Sequence, residues 1–317
     1  MKAIQFFAIT ALGAALFASC SNEEELATGS YPSDNLIRVT AGVNNDMTRS
    51  DEAVTPTSLT KNFSLTVVNN TNANFSYANE IFSLNGTEWS CGKNLLWQNL
   101  TTPVEIVALY PATDDKKFDG VYTKENKSYG TITYSVKSDQ STADDDANDL
   151  LLYHIASFKP EKDLENGKLN IEFNHAFCRV DIEVIIGTEF NATNGLAENP
   201  IQGIRVEGTK TTADISFASA EPFFTVTPSE SGDATNITPT RRDFTKAANA
   251  TDQAVARYSC MVIPQTAALK VLLHTSDREF EWTGKQMALE SGKQYTLQLN
   301  MTNKSTTARK FILRERK

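Results

Sequence analysis

The chain has 317 residues, of which 40% are hydrophobic and 22% are charged. This is the composition of an ordinary globular protein, and at about 100 to 200 residues per domain the length predicts two domains that each bury a core. The formal net charge of −9 argues against a nucleic-acid partner, because phosphate binding requires a dense surface of Lys and Arg side chains.

The N-terminal segment predicts an exported lipoprotein. An apolar run that ends at Phe17 is shorter than the roughly 20 residues of a spanning helix and is typical of a secretory leader. The small residues Ala18 and Ser19 precede Cys20, so removal of a signal peptide over residues 1–19 would expose this cysteine for acylation. Acyl chains anchor a protein to a membrane without spanning it. An ordinary signal peptide with an incidental cysteine is the alternative.

A polar, acidic segment follows Cys20. Glu23, Glu24 and Glu25 resemble the acidic surface-export signal of lipoproteins in Gram-negative anaerobes of the gut and mouth, whereas an acidic run can also be a solvated tether. Residues 20–35 are predicted to form a flexible tether, because they are polar and contain turn-forming Gly and Pro residues. We therefore expect a lipid-anchored protein of the outer membrane that is exposed at the cell surface.

Three cysteines remain after Cys20, namely Cys91, Cys178 and Cys260. An odd number cannot all pair within one chain, and a lone cysteine in a strand-like run behaves as a small buried hydrophobic residue. We expect no disulfide framework, no metal site and no cofactor.

The first predicted strand covers residues 36–43, because this run is rich in β-forming residues. Its apolar positions are Leu36, Ile37, Val39, Ala41 and Val43. A polar loop around Arg49 follows over residues 44–56. Further short strands are predicted at 63–68, 77–84, 87–90, 104–110 and 130–136. Turn-forming clusters between them are typical of a β-sandwich, and helical periodicity is scarce, with its best short candidate at 149–153.

A change of face is predicted at the start of a second set of strands. Leu169, Ile171 and Phe173 share one alternation phase, whereas the apolar residues of 178–184 share the other. Because a slip of one residue sends every side chain to the opposite face of a sheet, we predict a bulge or turn at residues 174–177.

The remaining strands of this set are predicted at 201–207, 212–217, 255–263, 269–274, 280–283 and 294–301. The Ser/Thr/Pro-rich stretch 218–249 is predicted to be a loop. A charged stretch at 161–167 predicts the domain boundary. The resulting units are residues 36–163, residues 164–303 and a basic tail over 304–317.

Five short stretches then point to a family. They are Val104–Pro111, Asp149–Tyr153, Phe173–Val180, Val262–Thr266 and Leu289–Tyr295. Each is weak alone, but their order, together with the lipoprotein leader, resembles the fimbrillin-like family of type V pilus proteins over roughly residues 36–301. The resemblance implies an all-β fold of two tandem transthyretin-like β-sandwich domains, and assembly with other fimbrial subunits by donor-strand exchange.

The resemblance also implies a site for that exchange. A sandwich that loses its first strand exposes a hydrophobic groove and an unpaired sheet edge, which a strand of another chain fills. In stalk subunits similar to this one, a trypsin-like protease cuts after an arginine in the loop behind the first strand. Cleavage between Arg49 and Ser50 would release the strand at 36–43 together with the lipid. The alternative is a solvated loop arginine in an accessory subunit that keeps its anchor.

The C-terminal tail departs from the stalk pattern. Phe311, Ile312 and Leu313 form a candidate donor strand, but three apolar residues between basic ones fill a groove poorly, at about 25 cal/mol per Å² of buried apolar surface. We predict a disordered basic tail instead. This leaves the role of an anchor or accessory subunit open, with adhesion to a host or bacterial surface ligand.

Other chemistry finds less support in the sequence. The chain contains no catalytic or nucleotide-binding fingerprint, and we expect neither an enzyme nor a catalytic residue. Its histidines, His154, His175 and His274, are expected to pack or cap. The run 144–146 with Asp149 is expected to be a solvated loop and not a calcium site.

A glycan-binding surface lipoprotein on similar sandwiches is the rival function. It would recognise a sugar through an exposed tryptophan, whereas Trp89, Trp97 and Trp282 are more often core residues.

Overall fold

The computed structural model describes residues 31–44, 59–112, 131–142, 148–218, 224–303 and 305–315. The strands are β1 (Val39–Val43), β2 (Phe63–Val68), β3 (Tyr77–Asn85), β4 (Glu88–Ser90), β5 (Val104–Tyr110), β6 (Ile132–Ser135), β7 (Leu151–Phe158), β8 (Leu169–His175), β9 (Cys178–Ile186), β10 (Gly203–Glu207), β11 (Thr212–Phe217), β12 (Phe224–Pro228), β13 (Thr240–Thr245), β14 (Ala254–Val262), β15 (Gln265–His274), β16 (Glu279–Leu289), β17 (Lys293–Met301) and β18 (Thr306–Glu315). A four-residue helix at Pro160–Asp163 and 3-10 turns at Ala73–Phe75 and Thr188–Phe190 interrupt them. The all-β prediction is confirmed. Among the described residues, no helix has the length and apolar character needed to cross a bilayer.

The first half of the chain folds into a sheet that closes on itself, in the order β1-β4-β3-β2-β5-β7-β8. Its interior holds one hydrophobic cluster, which we call the first core. Phe63 lies near its centre, stacked on Phe82 with ring centroids 5.2 Å apart and edge-on to Trp89 at 4.8 Å and to Phe173 at 5.7 Å. Aromatic pairs of this geometry stabilise a core beyond their buried area.

The second half forms three sheets around another cluster, the second core. The sheets have the orders β13-β14-β9-β17-β18, β10-β15-β16 and β12-β11-β6. In β9, buried Cys178, Val180 and Ile182 alternate with partly exposed Arg179 and Asp181, which is the period of a strand with one face on a core.

The chain passes from the first core to the second at residues 176 and 177. β8 ends at His175 and β9 begins at Cys178. Phe173 lies in the first core, whereas Phe177 lies in the second. The predicted change of face at 174–177 is confirmed, and its physical reason is this passage, because strands on either side of it serve different cores.

The predicted boundary between residues 163 and 164 therefore falls within the closed sheet, whose strands β7 and β8 lie on either side of it and pair. The predicted first unit also included β6, but β6 pairs with β11 and its residues Ile132 and Tyr134 lie in the second core. The charged stretch at 161–167 is a surface turn between two paired strands of one sheet. The boundary between the two cores depends instead on which strands pair, and charge and loop composition do not show that.

β5 and the start of β7 are buried on both faces and join the two cores. Ile106 and Ala108 of β5 face the first core, whereas Val107 and Leu109 belong to the second. In the same way Leu151 lies in the first core and its neighbour Leu152 in the second. The two halves consequently share a hydrophobic wall.

Two local predictions were wrong. The helix candidate at 149–153 contains the start of β7 at Leu151, since its consecutive leucines are buried on alternate sides of a strand. The predicted loop at 218–249 contains β12 and β13. These polar strands form because β11 and β14 provide backbone partners for them, which the composition of the segment does not show.

Leu109→Ala tests the shared wall. Leu109 is 1% exposed, and its truncation leaves a cavity at the junction, so we expect the free energy of unfolding to fall by about 2–5 kcal/mol. Urea unfolding followed by tryptophan fluorescence measures this change. Ile81→Ala in the same closed sheet is the control, because Ile81 is 42% exposed and its loss should shift stability by less than about 0.5 kcal/mol. Equal effects of the two variants would contradict the shared wall.

Candidate strand-exchange site

β1 closes the first sheet through unequal contacts with its two neighbours. It pairs in parallel with β8 along its whole length, from Val39 opposite Leu169 to Val43 opposite Phe173. On its other side it meets β4 at a single pair, Val39 opposite Trp89. β1 is therefore paired with β8 over its whole length and with β4 at one residue only.

The segment that leads into β1 is fixed by backbone hydrogen bonds. The amide of Ile37 donates to the carbonyl of Leu95 at 2.8 Å, and the amide of Trp97 donates to the carbonyl of Asn35 at 2.8 Å. Asp34 accepts from the Arg38 guanidinium and from the amide of Leu36. These two bonds lower the pKa of Asp34 to about 2, so its carboxylate stays charged at neutral pH.

The inward residues of this segment are core residues. Ile37, Val39 and Ala41 are 7%, 4% and 2% exposed and lie in the first core, whereas Leu36 and Val43 are half-buried. Burial of an aliphatic side chain of this size contributes about 1.5–3 kcal/mol. The structure thus places all five predicted exchange residues on one segment and three of them in the hydrophobic interior.

A cavity of about 250 Å³ lies along the weak side of β1. Its lining includes Ile37 and Val39 from the first segment and Trp89, Cys91 and Leu95 from the β4 region. The seam between β1 and β4 is therefore less closely packed than the pairing of β1 with β8.

The predicted lipidation residue, Cys20, and the predicted cleavage residues, Arg49 and Ser50, are outside the described residues. The described chain reaches Asn44, whose amide donates to the carbonyl of Phe173 at 2.7 Å, and resumes at residue 59. Cleavage after Arg49 remains a prediction.

The prediction of a disordered tail was wrong, because residues 306–315 form the strand β18. This strand pairs antiparallel with β17 from Thr306 opposite Met301 to Glu315 opposite Lys293. The candidate donor residues Phe311, Ile312 and Leu313 lie within it, opposite residues 295–297. The low apolar content of the tail pointed to disorder, but the edge of β17 supplies a backbone partner that does not depend on side chains.

Three of the family-like stretches meet where the chain passes between the cores. His175 Nδ1 lies 2.8 Å from Asp149 Oδ2, and both side chains are buried. The amide of Ala176 donates to the carbonyl of Leu150 at 2.8 Å, and Ser291 Oγ donates to the carbonyl of Ala176 at 2.9 Å. The sequence offered His175 as a packing or capping residue and Asp149 as part of a solvated loop, and it contained no signal that the two pair.

The other histidines and the tryptophans also have defined places. His154 Nε2 lies 2.7 Å from Glu105 Oε1 in a largely buried pair, and His274 is exposed. Trp89 and Trp97 are core residues, and Trp282 packs half-buried against the second core. A sugar platform built on an exposed tryptophan therefore finds no support in the described residues.

The cysteines in the described residues are free thiols. Cys178 and Cys260 are buried, whereas Cys91 is partly exposed. Burial raises the pKa of the Cys260 thiol far above its usual value, so this side chain packs as a neutral group.

A family model described as fimbrillin-like matches residues 38–311. The chain belongs to the fimbrillin-like family. A comparison with curated proteins found no match. Solved structures resemble this fimbrillin-like chain in fold. One is a proposed cell adhesion protein of Bacteroides uniformis, with TM-score 0.59, 12% identity and coverage of 90% of this chain and 100% of that one.

Two further structures show the same fold at low identity. A proposed cell adhesion protein of Bacteroides ovatus has TM-score 0.60 and 13% identity, and covers 88% of this chain and 97% of its own. A fimbrial protein of Bacteroides vulgatus has TM-score 0.51 and 14% identity, with coverage of 88% and 99%. The fimbrillin-like fold is thus maintained with very different side chains.

Val39→Asn tests how this fimbrillin-like chain holds β1. The change removes buried apolar surface and places an amide in the first core, so the free energy of unfolding should fall by about 2 kcal/mol or more. Hydrogen exchange gives the local measurement, because the Leu169 amide donates to the Arg38 carbonyl at 2.8 Å and exchanges faster when β1 opens. Ser90→Asn, at an exposed position of the neighbouring strand β4, is the control, because it introduces the same side chain outside the core. Unchanged exchange at Leu169 in the Val39 variant would show that β1 is not held by its inward side chains.

Proposed function

We propose that this protein is a fimbrial subunit that assembles by exchange of β1 for a strand of another subunit. The observation that carries the proposal is the position of β1, which is buried in the first core and paired in parallel with β8 but meets β4 at one residue pair. Membership of the fimbrillin-like family supports the same function. The role is structural and adhesive and involves no enzymatic reaction.

Loss of β1 would leave a specific acceptor. The edge of β8 from Leu169 to Phe173 would lose its backbone partner, and the pockets filled by Ile37, Val39 and Ala41 would open to solvent. An incoming strand with apolar residues at alternate positions restores both interactions. Because exposed apolar pockets and free strand edges are unfavourable in water, the empty acceptor is the driving force for assembly.

Delivery to the cell surface would precede the exchange. We propose that Cys20 carries the lipid, that residues 20–35 tether the folded protein to the outer membrane, and that cleavage between Arg49 and Ser50 frees both lipid and β1. For the domain organisation, we propose two structural units that meet at residues 176 and 177, where the chain passes from the first core to the second. This replaces the boundary expected between residues 163 and 164.

The C-terminal strand bears on the role within a fimbrium. As a donor, the segment with Phe311, Ile312 and Leu313 would first have to leave β17, with which it pairs over most of both strands. A subunit with this tail therefore suits an accepting position better than a repeating stalk position. It would be an accessory subunit where Arg49 is cut, and an anchor where Arg49 stays uncut and Cys20 keeps the lipid.

Treatment of the full lipidated protein with a trypsin-like protease tests the exchange. We expect a new N-terminus at Ser50, release from the membrane and, when a fimbrial stalk subunit is added to supply the donor strand, a complex with that subunit that survives on an unboiled gel. Arg49→Ala should abolish the cut and the complex, whereas Lys61→Ala, at a partly buried position, should leave both unchanged. An intact monomer after treatment under conditions that cut a fimbrial stalk subunit would refute cleavage-driven exchange.

A further inference from the structure

The three longest terminal strands of the second half are open on one side. β13, β16 and β18 each end a sheet, and in the described part of the chain no further strand pairs with their outer edges. They contain 6, 11 and 10 residues. Because an open edge presents backbone N–H and C=O groups in a row, each of these strands could pair with a strand of another molecule.

Each of these strands contains a β-bulge, which is one extra residue against its inner neighbour. In β13 the extra residue is Arg242, opposite β14. In β18 it is Arg309, opposite β17. In β16, Gly284 and Lys285 together lie opposite the single residue Leu269 of β15. The extra residue is thus in the open strand in all three pairs, and not in its inner neighbour.

The bulge in β16 is specified by its sequence. A Cβ atom on Gly284 would lie 2.6 Å from Trp282 Cη2 and 3.3 Å from the carbonyl oxygen of Leu269, so a larger residue does not fit there without movement. Trp282 in turn packs against the second core. The tryptophan and the glycine therefore fix the place at which Lys285 is inserted, and Lys285 is exposed.

A bulge makes an open edge a poor partner for another strand. It bends the strand and adds twist, so the backbone groups on its two sides do not meet a straight strand in one register. In all three strands the bulge includes a basic residue, and charged residues, Lys above all, are among the features that keep natural sheet edges from pairing. At β16 an incoming strand would also have to take the exposed Lys285 out of water.

The remaining terminal strands of the second half are short or covered. β6 has four residues, and β12 has five and ends at Pro228, which has no backbone N–H to donate. β10 also has five residues, and Val206 on its outer edge exchanges two backbone hydrogen bonds of 2.8 Å with Ile237. None of these three described edges offers a long, unoccupied row of backbone groups.

We propose that the bulges in β13, β16 and β18 close these edges to incoming strands, so that a donor strand adds to this subunit only at β8. β8 pairs with β1 in unbroken register, from Leu169 to Phe173. Its edge, once vacated, is therefore straight, and its inward residues lie in the first core. The closed edges follow from strand register alone, whereas the role of β8 rests on the proposed exchange of β1.

Deletion of Lys285 tests the closed edges without any protease. It leaves Gly284 alone opposite Leu269 and so makes the edge of β16 straight. We expect the unchanged full lipidated protein to be monomeric in detergent, and the variant to have about twice its protein mass because two β16 edges pair. Size-exclusion chromatography with light scattering, which separates protein mass from detergent mass, measures this. Equal masses of the two folded proteins would overturn the proposal.

Lys285→Gln is the matched control, because it removes the charge and keeps the bulge. We expect this variant to stay monomeric, and its association would show that the bulge does not close the edge. The thermal unfolding midpoint checks folding. If deletion of Lys285 prevents folding, deletion of Arg309 decides the matter, because β18 is the last described strand and its change of register shifts no later one. We again expect about twice the protein mass, and a folded monomer would overturn the proposal.

The number of donors tests the role of β8. The protein is cut after Arg49, the protease is removed, and a fimbrial stalk subunit is added that keeps its own first strand, so that it donates a strand and does not accept one. We expect a single stalk subunit per chain in the complex, measured by light scattering. More than one would overturn the proposal. No complex would refute the exchange of β1, and with it the role of β8, but not the closed edges.

Discussion

The fold depends on β5 and the start of β7, which are buried on both faces. β5 and β7 give alternate side chains to the first and the second core, so Ile106 packs on one side of the sheet and Val107 on the other. A strand buried on both sides must be almost wholly apolar, as the run from Val104 to Tyr110 is. Because the halves share this wall, they cannot separate without exposing it to water.

Much of this architecture follows from the sequence. The alternation of apolar and polar residues predicts the positions of most strands. The opposite alternation phases of Phe173 and Cys178 predict where the chain passes from one core to the other. The pairing of strands could not be predicted in the same way, because it depends on contacts between distant segments. β6 joins β11, β18 covers β17, and the polar strands β12 and β13 form beside partners that a local window does not include.

The candidate sites show the same difference between local patterns, which the sequence reveals, and contacts between distant segments, which it does not. The candidate exchange segment was predictable as a strand, because burial of Ile37, Val39 and Ala41 follows from a period of two in a β-rich run. The pair of His175 with Asp149 was not, since it joins residues from separate elements. A single charged residue such as Asp149 looks like an ordinary surface position until its neighbours in the fold are known.

The parallel pairing of β1 with β8 also sets an order of events during folding. Thr40 and its hydrogen-bond partner Asn170 are 130 residues apart, and contacts of such separation form late because a long loop must close first. β1, the first strand along the chain, therefore docks after the sheet that receives it. In the proposed strand exchange, a donor strand that arrives in this interval would compete with β1 for a vacant place and need not displace it from a completed fold.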